Sequence, residues 1–166
     1  MSHRYYYPEE PYNSRATEVN HLVESEITRK RGKDCTYPEY FRFDPEFVEF
    51  CAGIPLIVCH NATFDVTRLP FLCDRMTFCT MKTNTNIMQL PFKGNRRGNK
   101  APKLEEACEY YGVENQEAHD ALGDVLATKE ILEKMMDNAG YVFKIKKQKN
   151  VLTEEDQKKL REAIEW

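Results

Sequence analysis

The sequence predicts an α/β domain, on two observations. One is a continuous apolar run, Ile54 to Cys59, bounded by Gly53 on one side and by polar residues on the other. This is the pattern of a strand buried on both faces. The other is the set of capped, amphipathic helical segments that flank the run, which is how helices cover a sheet.

The elements follow in order. Residues 1–40 are rich in Tyr, Pro, Arg and Glu with weak periodicity, and predict one short helix over about Arg15 to Thr28 with extended or loop chain around it. Asp44-Pro45-Glu46 reads as a helix start, with Asp44 as N-cap, Pro45 at the first helical position and Phe47, Val48, Phe50 and Cys51 at helical spacing. Gly53 ends that helix. After the strand, Asn61 can cap a second helix through Leu69, which Pro70 stops. Residues 93 to 103 form a basic loop rich in Gly and Asn. A helix over about Lys103 to Tyr111 closes at Gly112, and a longer one runs from near Asp120 to about Asn138. Tyr141 to Lys149 reads as a basic extended segment. Thr153-Glu-Glu-Asp156 resembles a capping box opening a final helix with Leu160 and Ile164 on one side. The expected organisation is a domain over residues 1–140, then a basic strand and an amphipathic helix over 141–166.

Composition narrows the class. The 166 residues are 41% hydrophobic and 31% charged, as in one ordinary globular domain. The longest nearly apolar run, Cys51 to Cys59, is far short of the roughly 20 residues of a membrane span. Because the start Met1-Ser-His-Arg-Tyr-Tyr-Tyr-Pro has no apolar stretch, a secretory signal is not expected and a cytoplasmic protein is. With a formal net charge of −3, any nucleic-acid contact has to come from a local basic patch. Six cysteines at 35, 51, 59, 73, 79 and 108 show no C-x-x-C spacing, so reduced structural thiols are expected ahead of a disulfide framework or a zinc site.

Three residues stand out for chemistry. Asp65 falls in the first turn of the helix that follows the strand, beyond the strand's carboxyl end, where open α/β sheets build their sites. It can equally serve the helix dipole alone. Asp124 shares a helical stripe with Ala121, Thr128, Ile131 and Met135, while Leu122, Val125, Leu126 and Leu132 make the opposite side apolar too. A carboxylate there needs a salt-bridge partner or a metal ion. His119 lies at the start of the same helix, where the dipole disfavours the imidazolium. It is either a capping or surface histidine or a neutral base able to take a proton from water.

His60-Asn61-Ala62-x-Phe64-Asp65 and His119-Asp120-Ala121-x-x-Asp124 resemble the second and third motifs of the DEDD-type 3′–5′ exonucleases, histidine subclass. This ribonuclease H-like family includes the proofreading epsilon subunit of bacterial DNA polymerase III. The approach Lys103 to Val113 fits the family's run-in to its third motif, and the resemblance covers roughly residues 8 to 138. It implies a mixed sheet flanked by helices and stepwise removal of nucleotides from single-stranded DNA 3′ ends, with RNA as an alternative substrate. It further implies two magnesium or manganese ions in a two-metal arrangement. By position, Asp65 and Asp124 are the implied metal ligands and His119 the base, with Asn61 and Phe64 lining the terminal-nucleotide pocket.

The family's first motif, Asp-x-Glu on a central strand, has no counterpart. Asp44-Pro45-Glu46 stands only 21 residues before Asp65 and is a helix start. The chain is therefore expected to lack the fold's first strands, leaving an unpaired sheet edge, and to bind its ions weakly, because two carboxylates supply little charge. This chain alone is then expected to be weakly active or inactive. A catalytically inactive module that binds nucleic acid or a partner is the alternative.

Lys93, Arg96, Arg97, Lys100 and Lys103 form a dense basic cluster, of which Arg96 and Arg97 are the candidate phosphate contacts; a merely solvated loop is the other reading. Gln89-Leu90-Pro91-Phe92 has a faint likeness to sliding-clamp-binding peptides. The final helix either docks on its own domain or binds a partner such as a polymerase subunit.

Overall fold

The computed structural model describes residues 4–69, 75–94, 96–115, 120–137 and 146–147. They fall into two compact units, one built by residues up to Gly53 and the other by residues from Ile54 onward.

The first unit holds helices α1 (Ser14–Asn20), α2 (Glu24–Arg31) and α3 (Pro45–Cys51). The single helix expected over Arg15 to Thr28 is thus two. Asn20 explains the break: its side-chain carbonyl accepts the N–H of Leu22 at 2.9 Å, and His21 turns left-handed at φ 57°. Such a local side-chain bond competes with helical pairing. The start at Asp44 is as expected, with its carboxylate accepting the N–H groups of Glu46 and Phe47. Asp44 is buried and also receives Arg4 and the Tyr6 hydroxyl. Arg31 ties the N-terminal segment down, donating to the carbonyls of Tyr5, Tyr37 and Pro38 while its guanidinium lies 4.5 Å over the Tyr37 ring. With Ile27 and Cys51 its buried apolar residues, polar and cation–ring contacts carry much of this unit.

The second unit is a mixed sheet with helices around it. Strand β1 (Leu56–Cys59) runs parallel to β2 (Met76–Cys79), with Leu56 opposite Met76 and Cys59 opposite Cys79. β2 pairs antiparallel with β3 (Lys146–Lys147). Helix α4 (Ala62–Arg68) follows β1, and α5 (Thr80–Met88), α6 (Leu104–Tyr111) and α7 (Ala121–Met136) follow β2. The core gathers Phe78 of β2, Ala107 and Cys108 of α6, Val113, and Ala127, Ile131 and Met135 of α7. Leu56 and Val58 pack against it. Gly112 ends α6 left-handed at φ 62°, as its position predicts.

Three expectations need correction. β1 begins at Leu56 and is half-buried at each of its four positions, because among the described residues it has a neighbouring strand on one side alone. α7 is not apolar-buried around much of its circumference: Val125 is 62% exposed and Leu126 45%, while Thr128, Ile131 and Met135 face the core. One packed stripe is what a surface helix needs. Asn61 does precede α4, but as a left-handed residue at φ 76° whose side chain makes no capping bond. The segment β2–α5 carries no element in the sequence reading at all. Of the basic segment Tyr141 to Lys149, only 146–147 are described, and they are extended; the helix expected from Thr153 lies outside the described residues. No described helix is long and apolar enough to cross a membrane.

Candidate active site

The strand-to-helix junction at the carboxyl end of β1 delivers His60, Asn61 and Asp65 within six residues. β1 stops at Cys59, the chain turns through His60 and left-handed Asn61, and the Phe64 N–H closes the first turn of α4 on the Asn61 carbonyl at 2.8 Å. Asp65 therefore sits in the first turn of α4. A left-handed non-glycine costs backbone energy and persists only where its surroundings fix it.

His60 is the pin of this region. Its Nε2 donates to the Pro102 carbonyl at 3.1 Å, which fixes that tautomer in the neutral ring and leaves Nδ1 to accept from the Thr80 hydroxyl at 3.0 Å. Thr80 in turn lies 3.2 Å from the Cys59 carbonyl. One imidazole thus joins the end of β1, the start of α5 and the loop entering α6. Burial holds its pKa below the usual histidine value, against the opposing pull of the Pro102 carbonyl and of two carboxylates, Asp124 and Asp65. Both carboxylates act on this one ring, although 59 residues separate them in sequence.

Asp65 and Asp124 have different settings. Burial raises the Asp65 carboxyl above the usual carboxylate range, partly offset by the Cys59 thiol, which donates to it, and by Arg68 and His60. The same burial pushes the Cys59 thiol up to about 12, so it stays a protonated donor rather than a thiolate. Asp124 lies in the first turn of α7, half-buried at the end of the packed stripe. It accepts a hydrogen bond from Asn115 Nδ2 at 3.0 Å. Nδ2 is engaged there; Asn115 Oδ1 is buried without a hydrogen-bond partner among the described residues. An orphaned buried oxygen beside a carboxylate calls for a cation or a bound water.

Those residues fit a hard divalent ion. Oxygen donors suit magnesium and manganese, and magnesium characteristically takes one or two carboxylates and keeps several waters. Among the described residues no three His, Cys, Asp or Glu groups are arranged around one ion.

The basic loop is a hairpin, closed by the Pro91–Asn99 bridge and by Lys100 N–H to the Leu90 carbonyl at 2.8 Å. Lys100 is drawn off into an ion pair with Glu106. Lys93, Arg96 and Arg97 stay exposed, with the Arg96 guanidinium 4.3 Å over the Phe92 ring. Asn61 and Phe64 are both exposed, Phe64 by 53%. His119 lies outside the described residues. The five described cysteines, 35, 51, 59, 79 and 108, are free thiols.

Sequence reasoning assigned no role to His60, Thr80 or Asn115. The position of His60 at the strand's end was the available signal; Asn115 had none, since no periodicity marks the turn after Val113.

The second unit thus places Asp65 in the first turn of the helix after a strand end, beside a histidine pinned by Pro102 and Thr80. The chain belongs to the RNase T exonuclease family, whose sequence pattern matches residues 2–132, most of its length. No curated protein and no solved structure matches it.

Proposed function

We propose that this chain is a 3′–5′ exonuclease domain of the proofreading, epsilon-like type, which removes nucleotides from the 3′ ends of single-stranded DNA and is weakly active by itself. The observation that carries the reading is the position of the two motif carboxylates, Asp65 in the first turn of α4 directly after β1 ends and Asp124 in the first turn of α7. Family membership supports nuclease chemistry in general.

Asp65 and Asp124 would hold magnesium or manganese, with Asn115 Oδ1 as an auxiliary oxygen. When bound, such an ion stabilises charge on the scissile phosphate and on the leaving oxygen. His119 takes the proton of the attacking water. The water oxygen bonds to phosphorus, the phosphorus–O3′ bond breaks, the freed O3′ takes a proton from solvent, and a 5′-mononucleotide leaves a shortened strand with a new 3′-hydroxyl. Asn61 and Phe64 line the terminal-nucleotide pocket, and Arg96 and Arg97 hold upstream phosphates on the hairpin.

A second reading is a module that binds a strand without turnover. It is favoured by the shortage of acids, since no three His, Cys, Asp or Glu groups gather around one ion among the described residues. A 5′-labelled single-stranded DNA incubated with the chain and magnesium separates the two readings. Exonuclease action gives a ladder shortening from the 3′ end that is lost in Asp124→Asn. Internal cuts, or shortening that survives in Asp124→Asn, overturn it. Binding without shortening selects the second reading, and an RNA of the same sequence tests the sugar preference.

A further inference from the structure

Several of the described basic side chains are matched. Arg4, Arg29, Lys30, Arg42, Lys100, Lys129 and Lys134 each contact a carboxylate. Arg68 and Lys82, on the exposed edge of α4 and α5 beside Asp65, do not pair with a carboxylate among the described residues. They are nonetheless held in place. The Arg68 guanidinium carbon lies 3.5 Å from the centre of the Phe64 ring, which is van der Waals contact with the ring face. The other cation–ring contacts described run from 4.3 to 5.4 Å. Arg68 Nη1 also donates to the Phe64 carbonyl at 3.0 Å, so ring and carbonyl together hold the guanidinium in place. Lys82 Nζ donates to the hydroxyl of Thr63, the neighbour of Phe64, at 3.3 Å.

The Phe64 ring expected to meet the terminal base therefore already has a face covered by this chain's own arginine. A guanidinium resting on one ring keeps its outer face available, and that face can stack on nucleobases as an aromatic ring does. Its rotamers are already restricted in the folded chain, so little freedom remains to be lost on binding. Lys82 supplies a compact positive charge suited to a phosphate.

We propose that Arg68, backed by Phe64, is the platform on which the base of the 3′-terminal nucleotide stacks, with Lys82 holding a phosphate of that end. The assignment rests on the exonuclease reading for which nucleotide is meant, and it replaces Phe64 with Arg68 as the surface that the base touches. It makes the site tolerant of base identity, because every base has a stacking face and no edge is read.

The test is equilibrium binding of a 5′-fluorescein single-stranded DNA decamer, read by anisotropy with EDTA present, so no turnover is needed. Arg68→Ala should weaken binding about tenfold, within the range measured for loss of one base-stacking partner. Arg68→Lys should weaken it nearly as much, because the charge remains but the plane is gone. A decamer abasic at its 3′-terminal nucleotide should bind the unaltered chain as weakly as Arg68→Ala binds the intact decamer, and should lose nothing further with Arg68→Ala. Full binding by Arg68→Lys, or equal binding of the abasic and intact decamers, overturns the platform. If the Arg68 dependence holds while magnesium produces no shortening, the platform stands and the exonuclease reading falls. If shortening occurs without any Arg68 dependence, the reverse holds.

Discussion

Helix α7 carries Asp124, and its docking is what sets that carboxylate; substitution of Ile131 measures the docking. Ile131 is fully buried and lies seven residues, two turns, beyond Asp124 on the same stripe. Ile131→Ala removes three carbons, about 2.4 kcal/mol at roughly 0.8 kcal/mol per buried methylene. The residual cavity among Phe78, Ala107, Ala127 and Met135 adds to this, for a total of about 3–4 kcal/mol. Ile131→Val removes one carbon and should cost about 1 kcal/mol. Urea titration followed by far-ultraviolet circular dichroism reports the stability, and hydrogen exchange of α7 amides assigns the loss to the second unit. Ile131→Val should keep the metal affinity of the unaltered chain, since the stripe still docks. A cost below about 1 kcal/mol for Ile131→Ala would mean that α7 is not seated through this stripe, and the placement of Asp124 would go with it.

Other expectations follow from the charges. Burial raises the Asp65 carboxyl above its unfolded value, so this group's contribution to stability falls as pH rises from the unfolded value through the folded one. In EDTA at neutral pH, Asp65→Asn should therefore raise the melting temperature while abolishing metal-dependent activity; a lowered melting temperature contradicts the raised pKa. Asp44 has the opposite sign. Burial pushes it up, but the Tyr6 and Arg4 hydrogen bonds and the Phe47 N–H bring it below the usual value. Its stabilisation is present above about pH 4 and is lost as pH falls through the folded pKa. The first unit should accordingly open in acid, as seen by hydrogen exchange, whereas Asp44→Ala, which also loses a helix cap worth about 1 kcal/mol, should be weakened already at pH 7. Arg96→Ala and Arg97→Ala should each weaken strand binding for all sequences and flatten the salt dependence by about one unit of slope; an unchanged slope removes the hairpin from the interface.

Much of the second unit was legible because its signals are local. The strand ending at Cys59, the Gly112 stop and the Asp120 start each rest on a cap, a breaker or an apolar run within a few residues. The β2–α5 segment was missed because Thr80 to Met88 is rich in Thr and Asn, poor helix formers, and is held by burial of Thr80 and Asn84. Asn84 accepts the Tyr111 hydroxyl at 2.6 Å, a partner 27 residues away that no local pattern reveals. In the first unit, Arg31 organises a segment through backbone carbonyls, which carry no sequence signature. Asp65 and Asp124 were legible as motif residues; the histidine that joins their surroundings was not, since its partners Thr80 and Pro102 lie 20 and 42 residues on.

The proposed function requires that Asp65 and Asp124 hold a cation between them. Calorimetric titration of manganese into the chain, into Asp65→Asn and into Asp124→Asn, with circular dichroism confirming that each is folded, tests it most directly. Saturable binding by the unaltered chain, lost in both variants, is the predicted result. Binding that survives in either variant, or none in the unaltered chain, contradicts it.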